Sequence, residues 1–288
     1  MQPEKRRPSM PKTIVVTGAS DGIGAAGARR LHRDGHRVVI VGRSPEKTSK
    51  IADELGADRF LADFTSLADV RKLAADLDAA YPRVDVLVNN AGGIFGDREK
   101  TVDGFEKTFQ INHLAPFLLT NLLMDKLLAG KASVIQTSSA GARLFGKLDI
   151  DDLDHDHGYS AHRAYGTAKL ENILFTKELH ARYASHGLSA AAFHPGAVAT
   201  NFATGSKSFM RPIYSNPLSR LAMVSPEKGA RQLVWLAETT PGVDWHSGTY
   251  YENGRPARRT NPQADDSDLA RRLWNRSADL TGLDITAP

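Results

Sequence analysis

Residues 13–24 read Thr-Ile-Val-Val-Thr-Gly-Ala-Ser-Asp-Gly-Ile-Gly, and the fold prediction begins from this segment. It begins with a β-branched run that is typical of a buried strand. Three glycines follow, Gly18, Gly22 and Gly24, and a helix is predicted over 22–34. Glycines at such a turn let the backbone approach a pyrophosphate, which then lies at the N-terminus of the helix. The stretch therefore predicts a dinucleotide-binding loop, with a tight turn that binds no ligand as the alternative.

Strand and helix alternate along the rest of the chain. Short apolar runs are separated by longer helical stretches, a pattern typical of βαβ units and a parallel sheet. The predicted strands are 13–17, 37–41, 59–62, 84–88, 133–137, 188–193 and 248–251. The predicted helices are 22–34, 45–55, 67–80, 105–128, 161–185, 226–238 and 268–280. We therefore predict an α/β fold, a single domain with one doubly wound, Rossmann-type parallel sheet between two layers of helices.

Composition excludes several classes of protein. The chain has 288 residues, of which 24% are charged and 41% hydrophobic, and this excludes a wholly disordered chain. It has no cysteine, which excludes a disulfide scaffold, a cysteine nucleophile and a thiolate metal site. The formal net charge of +4 is too small and dispersed to indicate nucleic acid as a partner. No apolar run is long enough to predict a membrane span.

The two ends of the chain differ in character. Residues 1–12 are basic and lack an apolar stretch, so we predict a disordered basic tail rather than a signal peptide. Residues 13–288 are predicted to form the single domain. The lack of cysteine suits a reducing compartment, and we expect a cytoplasmic protein.

A basic residue follows the second predicted strand, where the adenosine ribose of a dinucleotide would bind. An acidic residue there would accept a hydrogen bond from the ribose 2′-hydroxyl and would repel a 2′-phosphate. This chain has Arg43 instead, and a guanidinium binds phosphate through a planar pair of donors. The sequence therefore predicts NADP(H) as the cofactor. Asp63, after the third strand, is placed to accept a hydrogen bond from the adenine amino group, or alternatively to cap a helix.

Tyr165 and Lys169 lie four residues apart in a predicted helix, so they share one helical face. A free phenol has a pKa of about 10 and donates its proton slowly at neutral pH. A neighbouring ammonium group stabilises the phenolate and lowers that pKa. The pair therefore predicts a tyrosine that acts as a general acid or base.

Polar residues also follow the fourth and fifth predicted strands. The segment 89–92 reads Asn-Asn-Ala-Gly, and Ser138 and Ser139 end the next strand. The carboxyl ends of parallel strands meet at one edge of the sheet, where open α/β sheets bind ligands. We therefore expect the glycine turn, the asparagine turn, a serine hydroxyl and the Tyr165–Lys169 pair to meet in one crevice.

Together these motifs resemble the short-chain dehydrogenase/reductase family over residues 13 to about 255. The resemblance rests on segments 17–24, 89–92 and 194–196 and on Asp63, Asn112, Ser139, Tyr165 and Lys169. The segments 111–123 and 165–175 look like the retinol-dehydrogenase-like branch of that family. Bacterial anthracycline side-chain ketoreductases are similar to the same branch.

The resemblance implies a role for each catalytic candidate. Tyr165 would donate a proton to a carbonyl oxygen, and Ser139, rather than Ser138, would hydrogen-bond that oxygen. Lys169 would hold the nicotinamide ribose and lower the pKa of the tyrosine. Asn112 would hold a water molecule that relays protons to the lysine. No metal is required.

The resemblance also assigns a cofactor site. Its predicted members are Gly18, Ser20, Asp21, Gly22, Ile23, Gly24, Arg43, Asp63, Phe64, Asn89, Asn90, Ala91, Gly92, Tyr165, Lys169, Pro195, Gly196, Val198 and Thr200. Asp21 departs from the family pattern, because many NADP-preferring relatives have a basic residue in that loop. The choice of NADP therefore depends mainly on Arg43.

Two segments without regular structure are predicted near the substrate. We expect 197–225, which is rich in apolar residues, to cover the substrate as a lid, and this favours a bulky hydrophobic compound. The candidate substrate contacts are Ile94, Phe95, Leu144, Phe145, His162, Phe202, Phe209 and Tyr214, and the alternative for each is a place in the core. We predict that the insertion 140–160, with His155 and His157, is an exposed acidic loop rather than a metal site.

The sequence thus predicts an oxidoreductase of the CH–OH/C=O class, an NADPH-dependent carbonyl reductase or alcohol dehydrogenase. Its substrate would be a ketone or aldehyde of a bulky hydrophobic compound, either a secondary metabolite or a retinal-like carbonyl. One alternative is a non-catalytic NADP(H)-binding sensor or scaffold, and the other is an NADPH-dependent C=C reductase on the same fold. Apart from this small molecule we expect no partner except another copy of the chain, as a monomer or homo-oligomer.

Overall fold

The computed structural model of the protein describes residues 10–196 and 224–284. Within these residues one sheet of eight strands has the order β3-β2-β1-β4-β5-β6-β7-β8. Strands β1 to β7 are parallel, and β8 is antiparallel to β7. The strands are β1 Thr13–Thr17, β2 Arg37–Gly42, β3 Asp58–Leu61, β4 Val86–Asn89, β5 Ser133–Thr137, β6 Ser189–His194, β7 Thr249–Glu252 and β8 Arg255–Pro256.

Helices connect the parallel strands. They are α1 Gly22–Arg33, α2 Pro45–Leu55, α3 Leu67–Ala80, α4 Lys107–Phe109, α5 Ala115–Leu122, α6 Met124–Ala129, α7 Gly141–Leu144, α8 Ala161–Tyr183, α9 Pro226–Glu238 and α10 Ser267–Thr281. A π-helical segment, Gln110–Leu114, joins α4 to α5, and short 3₁₀ helices lie at Ala184–His186 and Pro262–Asp265. The doubly wound α/β fold and its single domain are therefore confirmed.

Successive side chains of the central strands point to opposite faces of the sheet, and both faces are buried. On one face Ile14 and Val16 of β1 pack under α1 and α9. On the other face Val15, between them, packs under α3, α5 and α8. This two-sided burial explains why the strands are almost continuously apolar in sequence.

The predicted elements are present with small shifts, and the seven predicted strands lie within two residues of their observed ends. The helical stretch predicted over 105–128 is observed over residues 107–129, but a π-helical segment and a turn at Leu123 interrupt it. The amide of Ala115 bonds to the carbonyl of Gln110, one residue further back than in an α-helix. Pro116 has no amide hydrogen to give to the carbonyl of Asn112, and this favours the wider π turn at that point.

The insertion 140–160 is less exposed than predicted. Leu148, Leu153 and His155 are buried, although His157 is exposed. The expectation of an exposed acidic loop is therefore wrong for His155. The prediction of a disordered tail over residues 1–12 does not hold for Lys12. This residue donates hydrogen bonds to the Ala237 and Glu238 carbonyls and so belongs to the fold.

The described helices include none that is both long and apolar enough to cross a bilayer. The longest, α8, carries several charged residues along its length.

Candidate active site

A cavity of about 770 Å³ opens beyond the carboxyl ends of the central strands. It lies where the chain order reverses, since β1 has β2 on one side and β4 on the other. Open α/β sheets bind ligands at such a point, because the loops on either side diverge and leave a crevice. The cavity is therefore the candidate active site.

The glycine turn between β1 and α1 forms one end of the cavity. Asp21 caps α1 by accepting a hydrogen bond from the Gly22 amide at 2.7 Å. Gly18 has φ +63°, and a Cβ there would lie 2.9 Å from the Ala91 Cα. A Cβ on Gly24 would lie 2.3 Å from the Gly18 carbonyl oxygen. Both glycines are needed for close backbone approach, but Gly24 supports the loop from behind and does not line the cavity.

Thr17 joins the glycine turn to the asparagine turn. Its hydroxyl accepts hydrogen bonds from the Asn90 and Ala91 amides, both at 3.0 Å. The Asn90 side chain in return donates to the Thr17 carbonyl at 3.0 Å. Asn89 points the other way, is buried, and donates to the Thr120 hydroxyl at 2.9 Å. The structure thus brings Asn90 to the cavity and places Asn89 in the core.

The end of the cavity that lies beside the carboxyl end of β2 contains two cations. Arg43 and Lys47 both line it, and Ser44, between them, accepts a hydrogen bond from the Lys47 amide and caps α2. The Lys47 ammonium lies 3.2 Å from the Asp21 carboxylate. The charge of Asp21, which departs from the family pattern, is therefore balanced by a lysine on the next helix.

Asp63 and Phe64 line the same end of the cavity. The Asp63 carboxylate accepts a hydrogen bond from the Thr65 amide at 3.0 Å. It is not the cap of α3, since Ser66 accepts the capping bond from the Asp69 amide. The alternative considered for Asp63 is therefore excluded.

The other end of the cavity contains Tyr165, Lys169 and Ser139. The Lys169 ammonium lies 5.5 Å from the centre of the Tyr165 ring. Tyr165 and Ser139 both lie beside Gly141: a Cβ there would be 3.2 Å from the tyrosine ring and 3.4 Å from the serine hydroxyl. Three polar groups therefore face one small volume.

Lys169 is 2% exposed and donates a hydrogen bond to the Thr137 carbonyl at 3.0 Å. Burial lowers the pKa of its ammonium to about 7, because the apolar surroundings disfavour the charged form. An anionic group in the cavity would oppose that effect and restore the charge.

The neighbouring serine has a structural position. Ser138 is buried, and its hydroxyl donates to the Lys169 carbonyl at 2.7 Å. This bond ties the end of β5 to α8. Ser139 accepts a hydrogen bond from the Gly141 amide at 3.1 Å, and its hydroxyl hydrogen remains available to a second partner.

Asn112 lies in the π-helical segment behind the cavity. Its amide donates to the Gly93 and Thr108 carbonyls, both at 2.9 Å. A Cβ on Gly92 would lie 2.5 Å from the Asn112 oxygen and 3.3 Å from the Lys169 ammonium. Asn112 therefore buttresses the segment in front of Lys169 and does not itself line the cavity.

The walls beside Tyr165 are largely apolar. Ile94 is buried, whereas Leu144 and Phe145 are 58% and 47% exposed. The rings of Phe145 and His162 lie 5.3 Å apart. His194, at the end of β6, also faces the cavity, and burial lowers its pKa.

Most of the predicted site residues line this one cavity. The exceptions are Gly24, Asn89 and Asn112, which support it from behind. Five others lie outside the described residues: Val198, Thr200, Phe202, Phe209 and Tyr214. The sequence interpretation missed Lys47 and Thr137, and it named His194 only within the segment 194–196 without giving it a place in the site. Lys47 could have been found as a cation in the first turn of the helix after Arg43.

The doubly wound fold and the cavity at its switch point are typical of proteins that bind a dinucleotide. The family pattern described as short chain dehydrogenase matches residues 12–210. The chain belongs to this family of nicotinamide-dependent enzymes, in the branch that contains retinol dehydrogenases and a ketoreductase of similar sequence.

Three similar proteins illustrate the relationship. The chain is 42% identical over 280 residues to "Putative daunorubicin C-13 ketoreductase DnrU" of Streptomyces sp. (strain C5), a match that covers 94% of this chain and 93% of that protein. It is 38% identical over 290 residues to human retinol dehydrogenase 13, covering 95% and 85%. A crystal structure of an uncharacterized protein from Mycobacterium paratuberculosis superposes with a TM-score of 0.77 at 31% identity, covering 98% of this chain and 97% of that one.

Proposed function

We propose that the protein is an NADPH-dependent carbonyl reductase that acts on a ketone or aldehyde of a bulky hydrophobic compound. The observation that carries the proposal is the shared cavity. It has Arg43 and Lys47 at one end and Tyr165, Ser139 and Lys169 at the other. A binding module would need the first group of residues but has no use for a phenol beside a buried ammonium.

The cavity suits the cofactor chemically. Gly18 and Gly22 leave the backbone open at the N-terminus of α1, which favours the negative charge of a pyrophosphate. Arg43, Ser44 and Lys47 supply cations and a hydroxyl for a 2′-phosphate. Lys169 has three donors, and within the described residues one of them is taken by Thr137, so others are available to ribose hydroxyls.

The protein supplies the proton and the orientation in the proposed reaction. Bound NADPH supplies the hydride. Ser139 donates a hydrogen bond to the substrate carbonyl oxygen and fixes its position. Tyr165 donates its proton to the same oxygen. The charge of Lys169, restored by the anionic cofactor, stabilises the phenolate that remains.

The substrate end of the cavity favours a large apolar molecule. Its walls are Ile94, Phe95, Leu144, Phe145 and His162, which offer aliphatic and aromatic surface with few polar groups. Such walls favour substrates that bury a large apolar surface on binding. Polycyclic aromatic and polyene ketones and aldehydes have such a surface. The resemblance to a protein named as a daunorubicin ketoreductase supports the same class.

Activity is tested by NADPH oxidation with a panel of bulky aromatic ketones, quinone-containing polyketides and retinal, with NADH in parallel. We expect turnover of at least one compound. Substituting Tyr165→Phe should lower kcat by about 10²–10⁴-fold, as loss of a general acid does, and should leave NADPH binding within twofold. NADPH binding without turnover of any carbonyl would favour the non-catalytic alternative.

The cofactor preference has its own test. Arg43→Ala should weaken NADPH binding by about tenfold, as the loss of one charge-assisted contact does, and should change NADH binding little. Lys47→Ala should weaken NADPH more than NADH, and it should also weaken NADH, because it leaves the Asp21 carboxylate without its cation. Arg83→Ala is the matched control, because this half-exposed arginine pairs with Asp85 away from the cavity. Equal losses for both cofactors would contradict recognition of a 2′-phosphate.

A further inference from the structure

The turn before α10 touches the loop that carries the exposed apolar residues of the cavity wall. Asn261 is buried, and its side-chain amide donates to the Ala142 and Gly146 carbonyls, both at 2.8 Å. Its oxygen accepts from the Gln263 amide at 2.9 Å. Both hydrogens of the Asn261 side-chain amide therefore bond to carbonyls that lie more than a hundred residues earlier in the chain.

Gln263 forms a second link of the same kind. Its side chain donates to the Leu148 carbonyl at 2.8 Å and accepts from the Leu148 amide at 2.9 Å. This two-point contact imitates the pairing of neighbouring strands. Ala264, next along the chain, packs with Ala142 and Leu148 in one apolar cluster. We call residues 261–264 the strap and residues 142–148 the rim loop.

The other side of the rim loop rests on α8. A Cβ on Gly146 would lie 2.8 Å from the Gly166 carbonyl oxygen. The Thr167 hydroxyl bonds to both the amide and the carbonyl of Lys147 at 3.2 Å. The rim loop is thus held between α8, directly beside Tyr165, and the strap.

This arrangement leaves Leu144 and Phe145 exposed at the edge of the cavity. Because these apolar side chains are exposed, burial contributes little free energy to holding them in place. Their position therefore depends on the backbone that carries them. The strap is the part of the described structure that fixes the outer side of that backbone.

We propose that Asn261 and Gln263 are positioning residues that set substrate specificity by holding Leu144 and Phe145 against a bulky substrate. The inference rests on the proposed carbonyl reductase function and extends it. Neither residue lines the cavity. A small carbonyl compound, which does not reach the rim loop, is reduced independently of the strap.

The test uses the isosteric substitution Asn261→Asp. Aspartate keeps the size of the side chain and the acceptor for Gln263, but it presents an acceptor to the Ala142 and Gly146 carbonyls. Gln263→Glu is a milder second variant that keeps one of its two bonds. The matched control is Asp265→Asn, which removes the charge of an ion pair between the same turn and Lys177 of α8 without touching the rim loop.

With two hydrogen bonds lost, Asn261→Asp should raise KM for a bulky aromatic ketone about tenfold. Its kcat and KM for a small aliphatic carbonyl and its Kd for NADPH should remain within twofold of wild type. Gln263→Glu should show the same split to a smaller extent, and Asp265→Asn should show none. A general loss of structure would affect both substrates alike, so equal factors for the two would overturn the proposal.

A second readout does not require activity. Amide hydrogen exchange of residues 145–148 should become faster in Asn261→Asp, while exchange in β5 stays unchanged. Unchanged protection of the rim loop would overturn the inference. If the wild-type protein reduces neither carbonyl, the proposed function fails, and hydrogen exchange still decides whether the strap holds the loop.

Discussion

At the scale of single residues, Lys169 shows most directly what burial does to chemistry. Its ammonium is enclosed between Thr137, Gly92 and the Tyr165 ring. Without a bound anion the lowered pKa means that folding disfavours its protonated form. In the proposed reaction, Lys169 therefore depends on the anionic cofactor for its own charge.

The pH dependence of stability tests this description. Between the folded pKa of about 7 and the unfolded value of 10.5, the unfolded chain holds a proton on Lys169 that the folded protein lacks. Stability therefore rises with pH in this window, by at most about 1.4 kcal/mol per pH unit. We expect the free energy of unfolding of the wild-type protein, without cofactor, to rise from pH 7 to pH 10 relative to that of Lys169→Met. Urea denaturation of the two proteins measures this difference, and parallel curves would mean that the pKa is ordinary.

Lys47 is a second residue whose importance lies in its surroundings. Its contact with Asp21 neutralises an acid at the N-terminus of α1, where a carboxylate would repel a pyrophosphate. Lys47 thus affects the cavity in two ways: it adds a positive charge, and it neutralises the negative charge of Asp21.

At the scale of elements, the β1–α1 turn depends on close packing of the backbone. Gly24→Ala should weaken NADPH binding at least tenfold, because its Cβ would lie 2.3 Å from the Gly18 carbonyl and would displace the loop. Gly27→Ala on the same helix is the control, since its Cβ would meet only the flexible Leu233 side chain at 3.1 Å. Fluorescence titration of both variants measures the binding. Similar affinities in the two would contradict the steric argument.

Helix α8 is unusual because charged residues are buried inside it. Both oxygens of Glu171 lack a hydrogen-bond partner within the described part of the chain. Burial raises the pKa of this carboxyl well above its usual value, and the nearby Glu106 raises it further. Glu171 is therefore an acid that folding favours in its neutral form.

Glu171→Gln should therefore stabilise the protein at neutral pH. Between the unfolded pKa of 4.5 and the raised folded pKa, the folded protein holds the extra proton, so wild-type stability falls as pH rises. The glutamine variant carries no such proton, so its stability does not fall in this way. Its advantage in unfolding free energy over wild type should vanish below about pH 4. Glu178→Gln on the same helix should instead give no gain, because it breaks the Arg182 ion pair. Urea unfolding at several pH values provides the measurement; a gain that does not depend on pH would argue against the protonated carboxyl.

At the scale of the whole molecule, the C-terminal helix α10 completes the core on one face of the sheet. Trp274 is buried against Phe117, with ring centres 5.1 Å apart, and against Phe175 at 5.6 Å. The Arg182 guanidinium stacks over its indole ring. The helix thereby packs against both α8 and α5.

Trp274→Ala should cost about 3–5 kcal/mol of unfolding free energy, as the loss of a buried aromatic side chain does. Trp274→Phe should cost less, because part of the ring contact is kept. Chemical denaturation with tryptophan fluorescence and far-UV circular dichroism measures both. A loss below about 1 kcal/mol for the alanine variant would mean that α10 does not belong to the cooperative core.

Local sequence patterns were enough to predict the order of strands and helices and the edge of the sheet where the candidate site lies. These depend on local features, namely apolar runs, glycine turns and polar residues just after strands. Only the tertiary structure decided which of two adjacent residues reaches the cavity. Asn90 lines it, whereas Asn89 is buried and bonds to Thr120, because neighbouring side chains in extended backbone point in opposite directions. Ser138 and Ser139 both border the cavity, but the buried Ser138 hydroxyl donates to the Lys169 carbonyl.

Contacts between distant segments were likewise decided only by the tertiary structure. The Lys47–Asp21 pair joins two helices, and Asn261 reaches a loop more than a hundred residues earlier in the chain. The burial of His155 and the interruption of the helix before Pro116 also depend on what packs around them. The periodicity of apolar residues indicates only which residues of one helix or strand share a face. The contacts that shape this site arise when separate elements pack against one another, and no local pattern records them.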